Sequence, residues 1–252
     1  MNQSPTILNP LHEKLDVLVE GNEQAASTIV FVHGFAVDKH ETAGYFDDLS
    51  LALASEHRIV RFDFSGCGES QGLLEEMTYE KQAKDLEAVL EYVKNTYPGE
   101  IHILAQSMGT FVTALLNPLN IEKTVFTGIP NSNTQFIIER ITKRFSTRPG
   151  AKIDLEGISE LPRSSGITQR IGAGFWKSLQ NFNPVLTVKE YSQHTNLLII
   201  HPKQDDVVGT LFLEEYASIP TLTAEWMDGD HSFKKLEDRE KLIKRVVQFF
   251  ST

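Results

Sequence analysis

The sequence predicts an α/β fold with a mostly parallel central sheet and helices on both faces, and three observations carry that prediction. Short apolar runs alternate with helically spaced stretches from Thr28 to about Gly128, and again from Asn196 onward. Runs lacking a polar alternation belong to strands buried on both faces, which is the condition of a parallel sheet. At 252 residues, 40% hydrophobic and 23% charged, the chain suits one large domain carrying an insertion.

Taken in order, residues 13–19 read as an antiparallel edge strand, and residues 29–32, 58–63, 101–105, 124–128, 197–201 and 222–227 as the remaining strands. Tyr79, Ala83, Leu86, Val89, Leu90 and Val93 recur at intervals of three and four, which predicts a helix capped by Thr78 and ended by Pro98-Gly99. A second helix begins at Met108 and runs to Leu116. The last one sets Leu236, Ile243, Val247 and Phe250 on one face against Lys, Arg and Glu on the other. From Pro130 to about Tyr191 the alternation fails, over a length too great for a simple loop. This stretch is expected to be an inserted cap, residues 131–191, between core segments 1–130 and 192–252. Within it, residues 137–145 look helical, and 152–158 and 166–171 look extended or hairpin-like.

Charge and cysteine content narrow the function. Lys plus Arg number 24 against 34 Asp plus Glu, a net charge of −10, so the basic stripe that tracks a phosphate backbone is missing and nucleic acid is not an expected partner. Cys67 is the only cysteine, which excludes an intramolecular disulfide and suits a reducing compartment. The amino-terminal Met1-Asn2-Gln3-Ser4-Pro5 lacks a basic cluster followed by an apolar core, and no run reaches the roughly 18 apolar residues of a membrane span. A cytoplasmic protein, monomer or homodimer, is the expectation.

The chemistry centres on Ala105-Gln106-Ser107-Met108-Gly109. A serine between small residues, after a buried strand and before a helix, has the pattern of a nucleophile elbow, where a sharp turn lifts the hydroxyl clear of the sheet. A serine hydroxyl needs a base, and the base needs an acid to orient it. Asp205 follows the strand at 197–201, at the carboxyl edge where parallel sheets bind ligands. His231 follows the strand at 222–227. The neighbouring Asp206 is the alternative acid; Asp205 is preferred because Asp206 is then free to face solvent. Two backbone amides should hold a developing oxyanion: Met108 by position, and Phe35 in the turn Val32-His33-Gly34-Phe35. His33 is expected to brace that turn. Gly66-Cys67-Gly68 lacks the Lys-Ser/Thr ending of a phosphate loop and reads as a backbone turn, with Cys67 passive.

His33-Gly34-Phe35, the stretch from Arg61 to Ser70, Ala105 to Gly109, the Asp205 loop and His231 together resemble the serine α/β-hydrolase superfamily over about residues 27–250. The His-Gly-Phe turn, the Phe-Asp-Phe stretch and a cap placed before the acid are similar to the cinnamoyl or feruloyl esterase branch and its monoacylglycerol-lipase-like relatives. The resemblance implies an α/β-hydrolase fold with an inserted cap. It also implies Ser107 as nucleophile, His231 as base, Asp205 as orienting acid, and Phe35 and Met108 as oxyanion donors. Two departures are Ala105 where a first glycine is usual and Gly209 where relatives often carry proline. A small-molecule ester is the implied substrate, without metal or organic cofactor; amidase, peptidase and thioesterase chemistry on the same fold are the alternatives, and a non-catalytic binding protein is the rival of another class. Phe136, Ile137, Phe145, Phe175, Trp176 and Phe182 are the apolar supply for the pocket, with Phe136, Phe145, Phe175 and Trp176 named as its lining.

Overall fold

The computed structural model describes residues 4–251; Met1, Asn2 and Gln3 of the amino-terminal stretch lie outside the described residues. In chain order come β1 (Ile7–Leu8), β2 (Lys14–Leu15), β3 (Val17–Gly21), β4 (Ser27–Val32), α1 (Tyr45–Leu53), β5 (Arg58–Phe62), α2 (Tyr79–Thr96), β6 (Glu100–Gln106), α3 (Met108–Leu116) and β7 (Lys123–Thr127). There follow α4 (Thr134–Ser146), β8 (Ser159–Pro162), β9 (Thr168–Ile171), α5 (Ala173–Gln180), α6 (Pro184–Tyr191), β10 (Asn196–Pro202), α7 (Glu214–Ala217), β11 (Leu222–Met227) and α8 (Leu236–Ser251).

The central sheet has the order β11-β10-β7-β6-β4-β5-β3. Every neighbour pair is parallel except β3 with β5, which closes one edge antiparallel. The apolar runs have a direct cause. Along β4, Val30 and Val32 enter one core with α2, α3 and α6, while Ile29 and Phe31 enter a second core with α1 and α8. Both faces are dry, so both sets of alternating side chains are hydrophobic.

α2 follows its spacing. The Thr78 hydroxyl accepts from the Lys81 N–H at 3.0 Å, capping the helix, and Tyr79, Ala83, Leu86, Val89, Leu90 and Val93 are all buried. Tyr97, preceding Pro98, has already turned to extended backbone.

Three local expectations need correction. Residues 13–19 form two short strands, because the Asp16 amide donates to Ser70 Oγ (2.8 Å) and its carbonyl accepts from the Asp63 N–H (2.9 Å). That exchange turns the chain from its β1 partner to its β5 partner. Phe250 is buried as expected, but the rest of the buried face of α8 carries Arg239, Leu242, Val246 and Phe249, while Leu236 is 70% exposed and Ile243 and Val247 only flank the core. Arg239 sets that face, since its Nη1 pairs with Asp48 at 2.6 Å and its Nε donates to the Phe233 carbonyl at 2.9 Å. Of residues 152–158, Lys152 bridges to Glu160 and the chain then turns, the Glu156 N–H donating to Asp154 Oδ1.

The segment between β7 and β10 contributes α4, the antiparallel β8–β9 pair, α5 and α6. Its last helix joins the layer that covers the sheet: α6 packs on α3, and the Tyr191 ring stacks on Phe126 with centroids 5.8 Å apart. Among the described residues no helix is long and apolar enough to cross a membrane.

Candidate active site

Ser107 sits where β6 gives way to α3, with φ 53° and ψ −124°. A non-glycine residue with positive φ is strained and persists only where its surroundings impose it. The Ser107 N–H donates to the Thr127 carbonyl of β7 at 2.9 Å, and its own carbonyl accepts from Thr110 Oγ1 at 2.6 Å. The close approach of α3 to β4 also needs a side-chain-free position, because a Cβ on Gly109 would lie 2.5 Å from the carbonyl oxygens of both Val32 and His33. Ala105 is fully buried opposite Val32, where its methyl fits.

The loop after β10 and the turn after β11 bring Asp205 and His231 together. Asp205 Oδ2 accepts from His231 Nδ1 at 2.7 Å, while Oδ1 accepts from the Val207 and Val208 amides, both at 2.9 Å. Burial by itself would raise the Asp205 carboxyl; the nearby His231 charge and hydrogen bond, with His201 and the Val208 amide, hold it below its ordinary value. Asp206 points elsewhere. It is exposed, and its backbone carbonyl accepts from Arg140 Nη2 at 2.5 Å. With the Nδ1 proton directed at Asp205, Nε2 is the nitrogen left to act as base. His231 and Ser107 face one cavity of about 150 Å³.

Phe35 and Met108 line that cavity too. Among the described residues neither amide N–H has a hydrogen-bond partner, which leaves both available to an oxyanion. His33 braces the first of these turns: its Nε2 accepts from the Phe64 N–H at 3.0 Å and its Nδ1 donates to the Gly34 carbonyl at 2.9 Å. Burial pushes its pKa down, which suits that neutral arrangement. Burial likewise pushes the Cys67 thiol up to about 12, so it stays protonated and inert.

Of the four aromatic residues expected in the pocket, Phe145 and Phe175 line the cavity, together with Ile137, and Phe136 and Trp176 do not. The Trp176 ring is fully buried behind Phe175, centroids 5.1 Å apart, and its Nε1 donates to Ser159 Oγ at 3.2 Å. An indole whose only polar atom is satisfied inside the core is a packing residue. Phe136 lies against Phe212 and beneath Arg140. Phe182 packs on Phe111 and Tyr79, and it is Tyr79 that reaches the cavity.

The family described as the alpha/beta hydrolase fold matches residues 27–152, half of the chain. The chain belongs to this alpha/beta hydrolase family. No curated protein sequence matches it. Solved structures reproduce the fold over nearly the whole chain. An esterase from Pyrococcus furiosus is 18% identical with a TM-score of 0.77, covering 100% of this chain and 90% of that one. Est1E from Butyrivibrio proteoclasticus, with ferulic acid bound, is 20% identical with a TM-score of 0.76 and 98% coverage of each chain. The esterase domain of a Rhodothermus marinus protein is 18% identical with a TM-score of 0.72, covering 98% of this chain and 97% of that one.

In this alpha/beta hydrolase two supporting residues escaped the sequence reading. Gln106 Nε2 donates to the His231 carbonyl at 2.8 Å, and its Oε1 accepts from Thr127 Oγ1, so the residue before the serine also anchors the histidine turn. The pentapeptide pattern leaves that position open, which is why no signal marked it. Glu41 Oε1 accepts from the Gly34 N–H at 2.5 Å and its Oε2 from Thr42 N–H at 3.1 Å. Burial raises its carboxyl despite those two amides and His231. Glu41 has φ 58° and Ala36 φ 51°, so backbone strain gathers on both sides of the Phe35 turn as it does at Ser107.

Proposed function

We propose that this protein hydrolyses carboxylic esters through an acyl-enzyme on Ser107. One observation carries the reading: the Asp205–His231 pair, 2.7 Å apart, opens onto the cavity that holds the strained Ser107. In this scheme His231 Nε2 takes the Ser107 proton as Oγ attacks the ester carbonyl, and the Phe35 and Met108 amides receive the negative charge. His231 then protonates the leaving alcohol. A water molecule, activated by the same nitrogen, releases the acid and regenerates the serine.

The inserted segment acts as a cap that shapes the pocket, with Phe145 and Phe175 beside Phe35 as an apolar wall. Small acyl or aryl esters suit such a wall. The ferulic acid bound to one structural relative is in keeping with a hydroxycinnamoyl ester. The test is pre-steady-state hydrolysis of p-nitrophenyl acetate by wild type and Ser107→Ala, with an aminoacyl anilide in parallel. Wild type should release a burst of nitrophenolate equal to the active sites, and Ser107→Ala should release none while keeping its fold. Turnover by a folded Ser107→Ala protein, or an anilide cleaved in preference to the ester, would contradict the reading.

A further inference from the structure

Four arginines gather on the cap side of the cavity: Arg140 and Arg144 on α4, Arg148 just after it, and Arg163 beyond β8. The Arg148 and Arg163 guanidinium groups lie over the Phe145 ring at 4.9 and 5.3 Å, and Arg163 also lies 5.6 Å over Phe35. Arg140, Arg144 and Arg163 line the cavity that contains Ser107. What they lack is a counter-charge. Arg61, Arg170, Arg239 and Arg245 each pair with a carboxylate; among the described residues none of these four cap-side arginines does.

Their hydrogen bonds go to carbonyls instead. Arg140 donates to the Val207 and Asp206 carbonyls, Arg148 to Pro162, and Arg163 to the Phe35 carbonyl through Nη2 and to the Gln169 side-chain carbonyl through Nε. The Arg144 side chain, exposed on the last turn of α4, has neither a hydrogen bond nor an ion pair among the described residues. Two carboxylates share the cavity, but Glu41 is committed to the Gly34 and Thr42 amides and Asp206 is solvent-exposed. Burial, then the Arg144 and Arg148 charges, lower Arg163 to about 10 against a smaller opposing effect of Cys67 and Glu41, so it remains a cation at neutral pH beside two like charges. In a chain of net charge −10, such a local excess draws anions to the cavity and gains most from a ligand that brings the missing charge. Guanidinium groups suit carboxylate and phosphate oxygens, which they bind through paired N–H donors.

We propose that the substrate is an anionic ester, bearing a carboxylate or phosphate group that Arg144 and Arg163 bind on the Phe145 side of the cavity. This rests on the ester-hydrolase reading above. The ester bond lies at Ser107, so the charged group occupies the part of the molecule that reaches past Phe145.

Ester pairs that differ in one anionic group test it, read as kcat/KM from acid release. Monomethyl adipate against methyl hexanoate places the charge on the acyl side; 1-butyrylglycerol 3-phosphate against 1-butyrylglycerol places it on the alcohol side. In at least one pair the anion should be preferred by about tenfold or more at low salt, and the preferred pair names the charged side. The preference should shrink as ionic strength rises, collapse in Arg144→Gln, invert in Arg144→Glu and largely survive in Arg144→Lys. Neutral esters turned over while both anionic twins are no better would overturn the charge proposal and leave the esterase reading standing. A preference equal in Arg144→Gln and Arg144→Glu to that of wild type would also overturn it. No turnover of any ester would remove both.

Discussion

At the scale of single residues, two adjacent aspartates differ in what their carboxylates and main chains contact. Asp205 has one oxygen on His231 and the other on two backbone amides of its own loop, so it is fixed in place and aimed. Asp206 is exposed at the cavity, and its hydrogen bond there is through its main chain, the Arg140 bond to its carbonyl. Asp205→Asn should therefore lower kcat by roughly 10³- to 10⁴-fold, the scale seen when an orienting acid loses its charge, with little change in Tm. Asp206→Asn should stay within a few-fold of wild type. Equal losses in the two variants, measured on the same ester, would reverse the assignment. The contact of Asp205 with His231 was legible in the sequence because preferring Asp205 leaves Asp206 to face solvent, and Asp206 is exposed. The aromatic lining was not. Phe145, Phe175 and Trp176 look alike as apolar residues, and only packing decides that Trp176 spends its N–H on Ser159 while Phe175 faces the cavity.

At the scale of elements, the β6–α3 junction shows how tightly the elbow is built. Gly109→Ala places a methyl 2.5 Å from two carbonyl oxygens, and main-chain atoms of β4 have no room to retreat. The variant should lose about 1–3 kcal/mol or more from overpacking, and those molecules that fold should carry a displaced Ser107. A denaturant midpoint equal to wild type would show that α3 is not pressed onto β4 as described. β4, β6, β7 and β10 were readable because burial on both faces makes them continuous apolar runs. The split between β2 and β3 was hidden, since it depends on Ser70, 54 residues away, capturing the Asp16 amide. The face of α8 was misjudged for a similar reason. Its inner stripe begins with Arg239, a charged residue that hydrophobic spacing ignores and an ion pair to Asp48 buries.

At the scale of the whole molecule, buried neutral histidines set how the fold responds to acid. His102 on β6 and His201 on β10 are each lowered from 6.5 to about 4, first by burial. Both are neutral in the folded protein, whereas the unfolded chain binds a proton at each once the pH falls below about 6.5. Stability should hold above that value, decline between about 6.5 and 4, and receive no further loss from these groups below it. For His102 the span corresponds to at most about 3 kcal/mol. His102→Phe, beside the Phe250 and His57 rings, should flatten the decline of Tm with pH; an unchanged slope would rule His102 out as a source. The strained turns, the two unpaired amides and the Asp205–His231 pair all lie around the cavity that holds the Ser107 hydroxyl, and the most direct test of the proposed nucleophile is labelling at that atom. A fluorophosphonate should add one adduct per chain, mapped to Ser107 by peptide mass spectrometry and absent from Ser107→Ala. An unlabelled wild type, or equal labelling of Ser107→Ala, would contradict the assignment of Ser107 as the nucleophile.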